Sequence, residues 1–167
     1  MGFFYTVEQV EESEVFKKFK EKNPKAELCA GFFILDFEQV ANQNQIDYSS
    51  EGDIYTFILN NEIGFEKAER IEQGKEKTEK MEKLDKEVKI EVDDLQELVE
   101  KKMKENGINK IINKIIAILQ KTHGKQVWNI NCMLQGMEIL QAKIDCQTGE
   151  FLNFEKRNMF DFIKKIK

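Results

Sequence analysis

The chain has few of the residues that most often carry enzyme chemistry. Its 167 residues include one histidine, three cysteines and one proline. It contains no nucleophile elbow, Walker loop, Rossmann fingerprint or His-Glu-x-x-His sequence. His123 precedes Gly124 without the neighbouring cysteine or histidine spacing of a zinc site, so we interpret it as a cation at a helix C-terminus. The sequence predicts a protein that is not an enzyme, with no catalytic residue, no metal site and no cofactor.

The chain also lacks a basic block and a long apolar run. Its net charge is −5 and its pI is near 5.2, whereas a nucleic-acid backbone requires a concentrated positive surface. The longest apolar stretches, Ala30–Leu35 and Ile115–Leu119, are too short to cross a bilayer. The first residues resemble no secretion signal. We therefore expect a cytoplasmic protein that binds neither nucleic acid nor membrane.

The cysteines are odd in number, which favours a reducing compartment. If residues 135–137 form a three-residue hairpin loop, Cys132 lies opposite Leu140 and Ile130 opposite Ala142. Cys146 is then about 20 Å from Cys132 along the sheet, too far for a disulfide. Cys29 belongs to a different part of the chain. We predict three free, buried thiols.

Residues 1–61 predict one helix followed by three strands. Thr6 and Gln9 have the spacing of a capping box, and apolar residues recur at helical spacing until Asn23-Pro24. Aromatic and β-branched runs then predict strands at Leu28–Phe37, Ile46–Tyr48 and Ile54–Leu59, with a turn between the last two.

Residues 62–92 differ in composition because more than half of them are charged. Acid-first pairs at i,i+4 spacing, such as Glu76/Lys80 and Glu79/Lys83, favour a helix. Its apolar stripe is thin. We predict a charged helical linker.

Residues 93–167 predict a second unit with the same order of elements. Asp93 or Asp94 caps a helix that is interrupted at Asn106-Gly107. The isoleucine-rich run from Ile111 to Leu119 has helical spacing, so we expect a second helical segment there. Alternating apolar residues then predict three strands, at 128–134, 140–146 and 151–154, before a short helix over 159–166.

Two turns suggest that the halves are repeats. Ile46-Asp47-Tyr48 followed by Gly52-Asp53-Ile54 matches Ile144-Asp145-Cys146 followed by Gly149-Glu150-Phe151. In each, an aspartate can accept backbone N–H groups and a glycine can supply positive φ. We predict an α+β fold of two αβββ units, each a helix packed on an antiparallel sheet, joined by the charged linker.

The region 108–157 resembles the PepSY domain. Trp128-Asn129-Ile130, Ile139–Ile144 and the turn Asp145-x-x-Thr148-Gly149-Glu150 with its apolar pair carry the resemblance, and the first half is a fainter match, as in a tandem pair. The resemblance implies a cystatin-like shape. It also implies membership of a group found as pro-segments or as accessory domains that bind or inhibit peptidases, and it supplies no catalytic residue.

Phe32 and Phe33 are adjacent in a predicted strand, so their side chains must lie on opposite faces. A helix covers only one face, and the other needs the second repeat, a partner or a ligand. Together with Phe37 and Trp128 they form the predicted interaction surface, although packing between the repeats explains them equally well.

These features favour a non-enzymatic protein-binding or inhibitory module that uses a sheet face or an edge strand. Its partner would be an unknown protein or a second copy of the chain. The alternatives are a small-molecule-binding protein or enzyme with a pocket between helix and sheet, and a structural homodimer. A packed, dry space between helix and sheet would favour the protein-binding module. A polar-lined pocket there would favour the small-molecule-binding protein or enzyme.

Overall fold

The chain folds as an α+β protein with one antiparallel sheet. The computed structural model describes residues 2–38, 42–59, 63–68 and 81–158. The described helices are α1 (Phe3–Glu12), α2 (Glu14–Lys22) and α3 (Leu95–Glu105), the last preceded by a 3₁₀ turn at Val92–Asp94. The strands are β1 (Glu27–Asp36), β2 (Gln43–Ser50), β3 (Asp53–Leu59), β4 (Ile63–Ala68), β5 (Ile112–Thr122), β6 (Lys125–Leu134), β7 (Glu138–Asp145) and β8 (Phe151–Asn158).

The eight strands form one sheet in the order β4-β3-β2-β1-β5-β6-β7-β8. Each half of the chain contributes a helical segment followed by four consecutive strands. The halves join at the centre, where β1 pairs antiparallel with β5 from Gly31 opposite Leu119 to Asp36 opposite Lys114. The division into residues 1–61, 62–92 and 93–167 stays a prediction, but the sheet itself is continuous across the halves.

The described helices cover one face of this sheet. Phe3 of α1 packs edge-on against Phe33 at 6.3 Å and Trp128 at 6.4 Å between ring centroids. Gly31 permits this approach because a Cβ there would lie 3.1 Å from the Phe3 ring. Val99 and Met103 of α3 belong to the same buried cluster. The core therefore spans both halves beneath the helices.

The predicted start of the first helix is wrong. Thr6 lies inside α1, where its hydroxyl donates to the Gly2 carbonyl at 2.8 Å. The α1 amides of Phe3 and Phe4 instead donate to the Glu91 carboxylate at 2.6 and 3.2 Å. The helix also ends early because Ser13 caps a separate α2, accepting from the Phe16 amide at 3.1 Å.

The predicted helical segment at 111–119 is strand β5. Its isoleucines fit helical spacing, but they serve both faces of a central strand: Ile115 is buried beneath the helices, whereas Ile116 lies on the opposite side and is half-buried. β-branched side chains suit that environment better than a helix. His123 consequently lies in the β5–β6 turn with positive φ, so its assignment to a helix C-terminus is also wrong.

The described ends of the predicted helical linker are not helical. Residues 63–68 form β4, so the first half has four described strands where three were predicted. The segment 81–91 forms neither helix nor strand and is held across the end of the sheet by backbone hydrogen bonds, among them Leu84 N–H to Leu28 O at 2.8 Å. Tertiary contacts therefore outweigh the i,i+4 charge pairs there. The central linker residues, 69–80, and the predicted terminal helix at 159–166 lie outside the described residues.

The β6–β7 hairpin confirms its predicted register. Cys132 lies opposite Leu140, Ile130 opposite Ala142, and Trp128 opposite Ile144. The predicted strand at 151–154 is the start of β8, which runs further, to Asn158.

The two predicted repeat turns join different strands. The turn at Glu51-Gly52 connects β2 to β3, the second and third strands of the first half. The turn after Asp145 connects β7 to β8, the third and fourth strands of the second half. The matched sequences therefore occupy non-equivalent places in the sheet. Gly52 and Gly149 both have positive φ, as predicted. Asp47, however, lies within β2 and its carboxylate accepts from the side chains of Thr56 and Gln45, so its predicted role as a turn aspartate is wrong.

The Asp145 turn has the chemistry expected from its sequence. The Asp145 carboxylate accepts from the amides of Gln147 at 2.8 Å and Thr148 at 3.2 Å. Gly149 has a φ of 77°, which favours glycine. The residues that carry the PepSY resemblance at this turn therefore have a structural role.

Candidate functional site

The sheet has an open face opposite the helices. Alternate residues of a strand point to opposite sides. Phe33 and Ala117 lie opposite each other beneath the helices and are buried. Phe32 and its neighbour Ile118 therefore lie on the other face, where both are half-buried. Every described helix packs on the Phe33 side, so this second face is open within the described part of the chain.

Two cross-strand rows run over the centre of the open face, each with the pattern amide, apolar, apolar, amide. Pairing across β2, β1, β5 and β6 sets both rows. The first is Gln45, Phe32, Ile118, Asn129, and the second is Gln43, Ile34, Ile116, Asn131. All eight side chains are half-buried. We call these eight residues the open-face patch.

The patch contains no charged residue, although 34% of the chain is charged. On the two central strands the next positions are Asp36 and Lys114, which lie opposite each other and have opposite signs. Side-chain hydrogen bonds hold the flanking amides: Gln43 donates to Gln45 at 3.2 Å, and Gln141 of β7 donates to Asn131 at 3.2 Å. The patch is therefore an ordered, neutral surface.

Asp47 lies beside the patch on β2. Its carboxylate accepts from the Thr56 hydroxyl at 2.9 Å and from the Gln45 amide at 3.1 Å. Burial raises the pKa of Asp47 above its usual value, and these two hydrogen bonds offset part of that rise. Its charge is thus disfavoured relative to an exposed aspartate.

The structure does not bring the four predicted surface residues together. Phe33 and Trp128 are fully buried, with ring centroids 5.8 Å apart, and belong to the core. Phe37 follows β1 and is 39% exposed. Phe32 alone lies in the open-face patch.

Sequence reasoning missed most of the patch. Ile116 and Ile118 were hidden by the assignment of their segment to a helix, and Gln43 and Gln45 precede the predicted strand at 46–48. Asn129 and Asn131, in contrast, occupy the polar positions of the predicted strand at 128–134. The signal was present in the β-branched run of β5, in which apolar residues occur on both faces.

A separate cavity of about 840 Å³ lies at one end of the helix layer. Its walls come from α1, α2, the start of β1 and residues 83–89, and they include Glu11, Phe16, Leu28, Tyr48 and Lys86. Lys86 forms ion pairs with Glu8, at 3.3 Å, and with Glu11. The space beneath the centre of the helices is packed instead, since Phe3, Phe33 and Trp128 are fully buried.

Tyr48 lines this cavity but is only 3% exposed. Burial, followed by the negative charges of Glu11 and Glu8, raises its pKa, so the phenol keeps its proton. Its hydroxyl oxygen has no hydrogen-bond partner among the described residues and is itself buried. A ligand in the cavity would therefore meet mixed charged and apolar walls, with this hydroxyl shielded behind them.

The described residues offer little reactive chemistry. The three cysteines are free and buried, as predicted. Burial raises the pKa of Cys29 and of Cys132 to about 12, and that of Cys146 to about 11, so thiolate nucleophiles are scarce at neutral pH. Across the described ranges, no three His, Cys, Asp or Glu side chains converge as a metal site would require.

Comparison with known proteins supplies no family. No family model and no curated protein matches the chain. Among solved structures, the chain is similar to a putative lipoprotein from Clostridium difficile 630, with a TM-score of 0.48 and 15% identity over 86% of this chain and 91% of that one. None of the described helices has the length and apolar character needed to cross a membrane.

Proposed function

We propose that the protein is a non-enzymatic protein-binding module whose binding surface is the open-face patch. The observation that carries this proposal is the composition of the patch: phenylalanine and isoleucine at the centre, amides on both sides, and no charge. A sheet with one solvated face normally alternates apolar residues with polar or charged ones. Here the alternation is replaced by apolar residues on both faces of β1 and β5.

An interface explains this composition better than solvent does. The cores of protein interfaces are depleted of charged residues and enriched in apolar and aromatic ones, with a polar rim. Amides can re-form their hydrogen bonds with a partner, whereas buried charges are costly to desolvate. The Phe32 and Ile118 pair would form the centre of such an interface, with Gln45 and Asn129 at its rim.

The sheet face is favoured over the edge strands. β8, at one edge, carries Glu155, Lys156 and Arg157 in succession, and charged residues along an edge discourage pairing with another strand. At the other edge, β4 contains Glu66 and Lys67. The neutral patch lies far from both edges, at the centre of the sheet.

The proposal includes the origin of the fold and the type of partner. A helical segment followed by four antiparallel strands, occurring twice, supports a duplicated pair of cystatin-like units. The PepSY resemblance of the second half adds the expectation that a bound partner could be a peptidase, which the module would inhibit. A cytoplasmic location remains part of the same proposal.

The test compares three baits in affinity capture from the native lysate. The baits are the native protein, Ile118→Lys in the patch, and Ile111→Lys as the matched control. Ile111 is 64% exposed and precedes β5, so its variant adds the same charge outside the patch. We expect partners captured by the native and Ile111→Lys proteins to be lost with Ile118→Lys. Capture of the same proteins by all three baits would refute the proposal.

The cavity at the end of the helix layer favours a second candidate, a small-molecule-binding protein. Its volume of about 840 Å³ is within the range of ligand sites, and its walls combine Phe16 and Leu28 with charged groups. Native mass spectrometry of the purified chain tests this candidate. A stoichiometric adduct above the 19.7 kDa chain mass supports it, and the bare chain mass counts against it.

A further inference from the structure

We infer that the partner of the open-face patch is a second copy of this chain, bound face to face about a two-fold axis. This inference rests on the proposed function, because it requires the patch to bind protein, and it names the occupant.

The patch is self-complementary. A two-fold interface places the same surface on both partners, so its pattern must match its own image. With the axis parallel to the central strands, between β1 and β5, each β1 of one copy lies over β5 of the other. Phe32 then faces Ile118 of the second copy, and Gln45 faces Asn129. Apolar side chains meet apolar ones along both rows.

The amides at the ends of the rows can pair with each other. A glutamine or asparagine side chain carries both a carbonyl acceptor and an NH₂ donor, so it can bond to another amide without a complementary charge. Beyond the amides, the first row continues to Ile58 on β3 and Lys143 on β7, and these two would face each other across the two-fold axis. The same type of group at both ends of each row, Gln43 and Asn131 in the second, therefore fits a two-fold partner.

Charge also selects this face for self-association. Each copy has a net charge of −5, so most approaches between two copies bring like charges together. The eight patch residues carry no charge, and the charged residues that border them on the same face, Asp36, Asp47, Lys114 and Lys143, are two acids and two bases. Face-to-face docking therefore avoids the repulsion that opposes other arrangements.

The open face is large enough for a stable dimer. Among the described residues, the sheet contains eight strands. With strands about 4.8 Å apart and about seven residues long at about 3.4 Å per residue, the face measures on the order of 900 Å². A standard interface buries about 800 Å² on each partner. Two sheets packed in this way would form a sandwich with a second core between them.

Sedimentation velocity over a wide range of protein concentration tests the inference. We expect the native protein and Ile111→Lys to sediment as dimers of the 19.7 kDa chain. Ile118→Lys should raise the dimer dissociation constant on the order of a hundredfold, because the two-fold introduces the change twice in each dimer. Asn131→Lys, at a position that is already polar, supplies a second patch variant with little risk to folding, and it should also dissociate the dimer.

Each outcome decides the inference. A native protein that stays monomeric at every concentration overturns it, and so does a dimer that both patch variants leave intact. If the native protein is monomeric while capture of another protein still depends on Ile118, the inference fails and the proposed function stands. If a dimer forms but neither the dimer nor capture depends on the patch, both fail.

Discussion

Asp47 illustrates how one residue beside the patch can make stability depend on pH. Its burial outweighs the hydrogen bonds from Thr56 and Gln45 and raises its pKa above the usual 3.8. The folded state therefore holds this proton more tightly than the unfolded state. The resulting stabilisation is fully present below pH 3.8 and is lost as the pH rises through the folded-state pKa.

We predict that Asp47→Asn raises the free energy of unfolding at neutral pH, because it removes a buried charge while its amide oxygen can still accept from Thr56. The gain should disappear below the usual aspartate pKa, where the native carboxyl is already neutral. Urea unfolding at several pH values measures both effects. Asp85→Asn, on a side chain that is 70% exposed, is the control and should show neither. A uniform loss of stability at every pH would contradict this account of Asp47.

Tyr48 gives a second prediction for a single residue. Its buried hydroxyl has no partner among the described residues, so folding removes that group from water without compensation. We predict that Tyr48→Phe stabilises the protein by about 1 kcal/mol. Denaturant midpoints measure this gain in stability, and Tyr55→Phe, at a half-buried tyrosine in β3, is the comparison. A loss of more than about 1 kcal/mol for Tyr48→Phe would reveal a partner for its hydroxyl.

Among the elements, α1 depends on Glu91, which lies at the C-terminal end of the segment 81–91. The Glu91 carboxylate accepts from the Phe3 and Phe4 amides, and its own backbone N–H donates to Asp94 at 2.9 Å. Free amides and the helix dipole both favour a carboxylate at a helix N-terminus. Glu91 therefore joins the start of α1 to the start of the segment that leads into α3.

We predict that Glu91→Ala destabilises the protein by about 1–2 kcal/mol, the usual cost of losing a helix cap. Glu91→Gln should cost less, because it keeps an acceptor and loses only the charge. Glu97→Ala, on an exposed side chain in the first turn of α3, is the matched control and should stay within about 0.5 kcal/mol. Equal midpoints for Glu91→Ala and Glu97→Ala would show that the cap contributes nothing.

The elements that sequence could predict are those encoded locally. The β6–β7 register followed from alternating side chains and a short loop, and the Asp145 turn followed from aspartate and glycine chemistry. β5 was missed because isoleucines on both faces of a central strand imitate helical spacing. The cap of α1 was missed because Glu91 is 88 residues from Phe3 in the chain.

The candidate site was predictable only in part for the same reason. Phe32 and Phe33 are adjacent, so in any strand their side chains lie on opposite faces. The need for a second covered face could therefore be inferred from these two residues alone. Which residues surround Phe32 depends on the pairing of β1 with β5, and strands so far apart in sequence leave no local signal of their pairing. Phe33 and Trp128 were named in the predicted interaction surface, with packing between the repeats as the alternative, and the structure shows that packing.

At the scale of the whole molecule, the two halves share one core. Trp128, the single tryptophan, packs against Phe3 and Phe33 of the first half and donates its indole N–H to the Ile90 carbonyl at 2.8 Å. β5 has β1 as its neighbour on one side. A fragment of residues 93–167 would lose all of these contacts.

We predict that the isolated 93–167 fragment does not fold as a monomer, and that adding the 1–92 fragment restores its structure. Fluorescence of Trp128 reports this directly, because the residue is fully buried in the whole protein. Its emission should be that of a solvent-exposed indole in the fragment alone and shift to the blue on mixing. Circular dichroism should gain strand signal in parallel. A monomeric fragment with buried-indole emission would show that the second half is an independent unit.

The central claim is that a bound protein covers the open-face patch. Photo-cross-linking in the native cell tests this claim most directly. A benzophenone amino acid at position 32 places the reactive group in the patch, with an aromatic side chain replacing Phe32. The same group at position 137 is the control, because Met137 is 53% exposed at the tip of the β6–β7 hairpin. We predict a discrete protein adduct from position 32 and only background from position 137. No adduct from position 32, or equal adducts from both, would contradict the account.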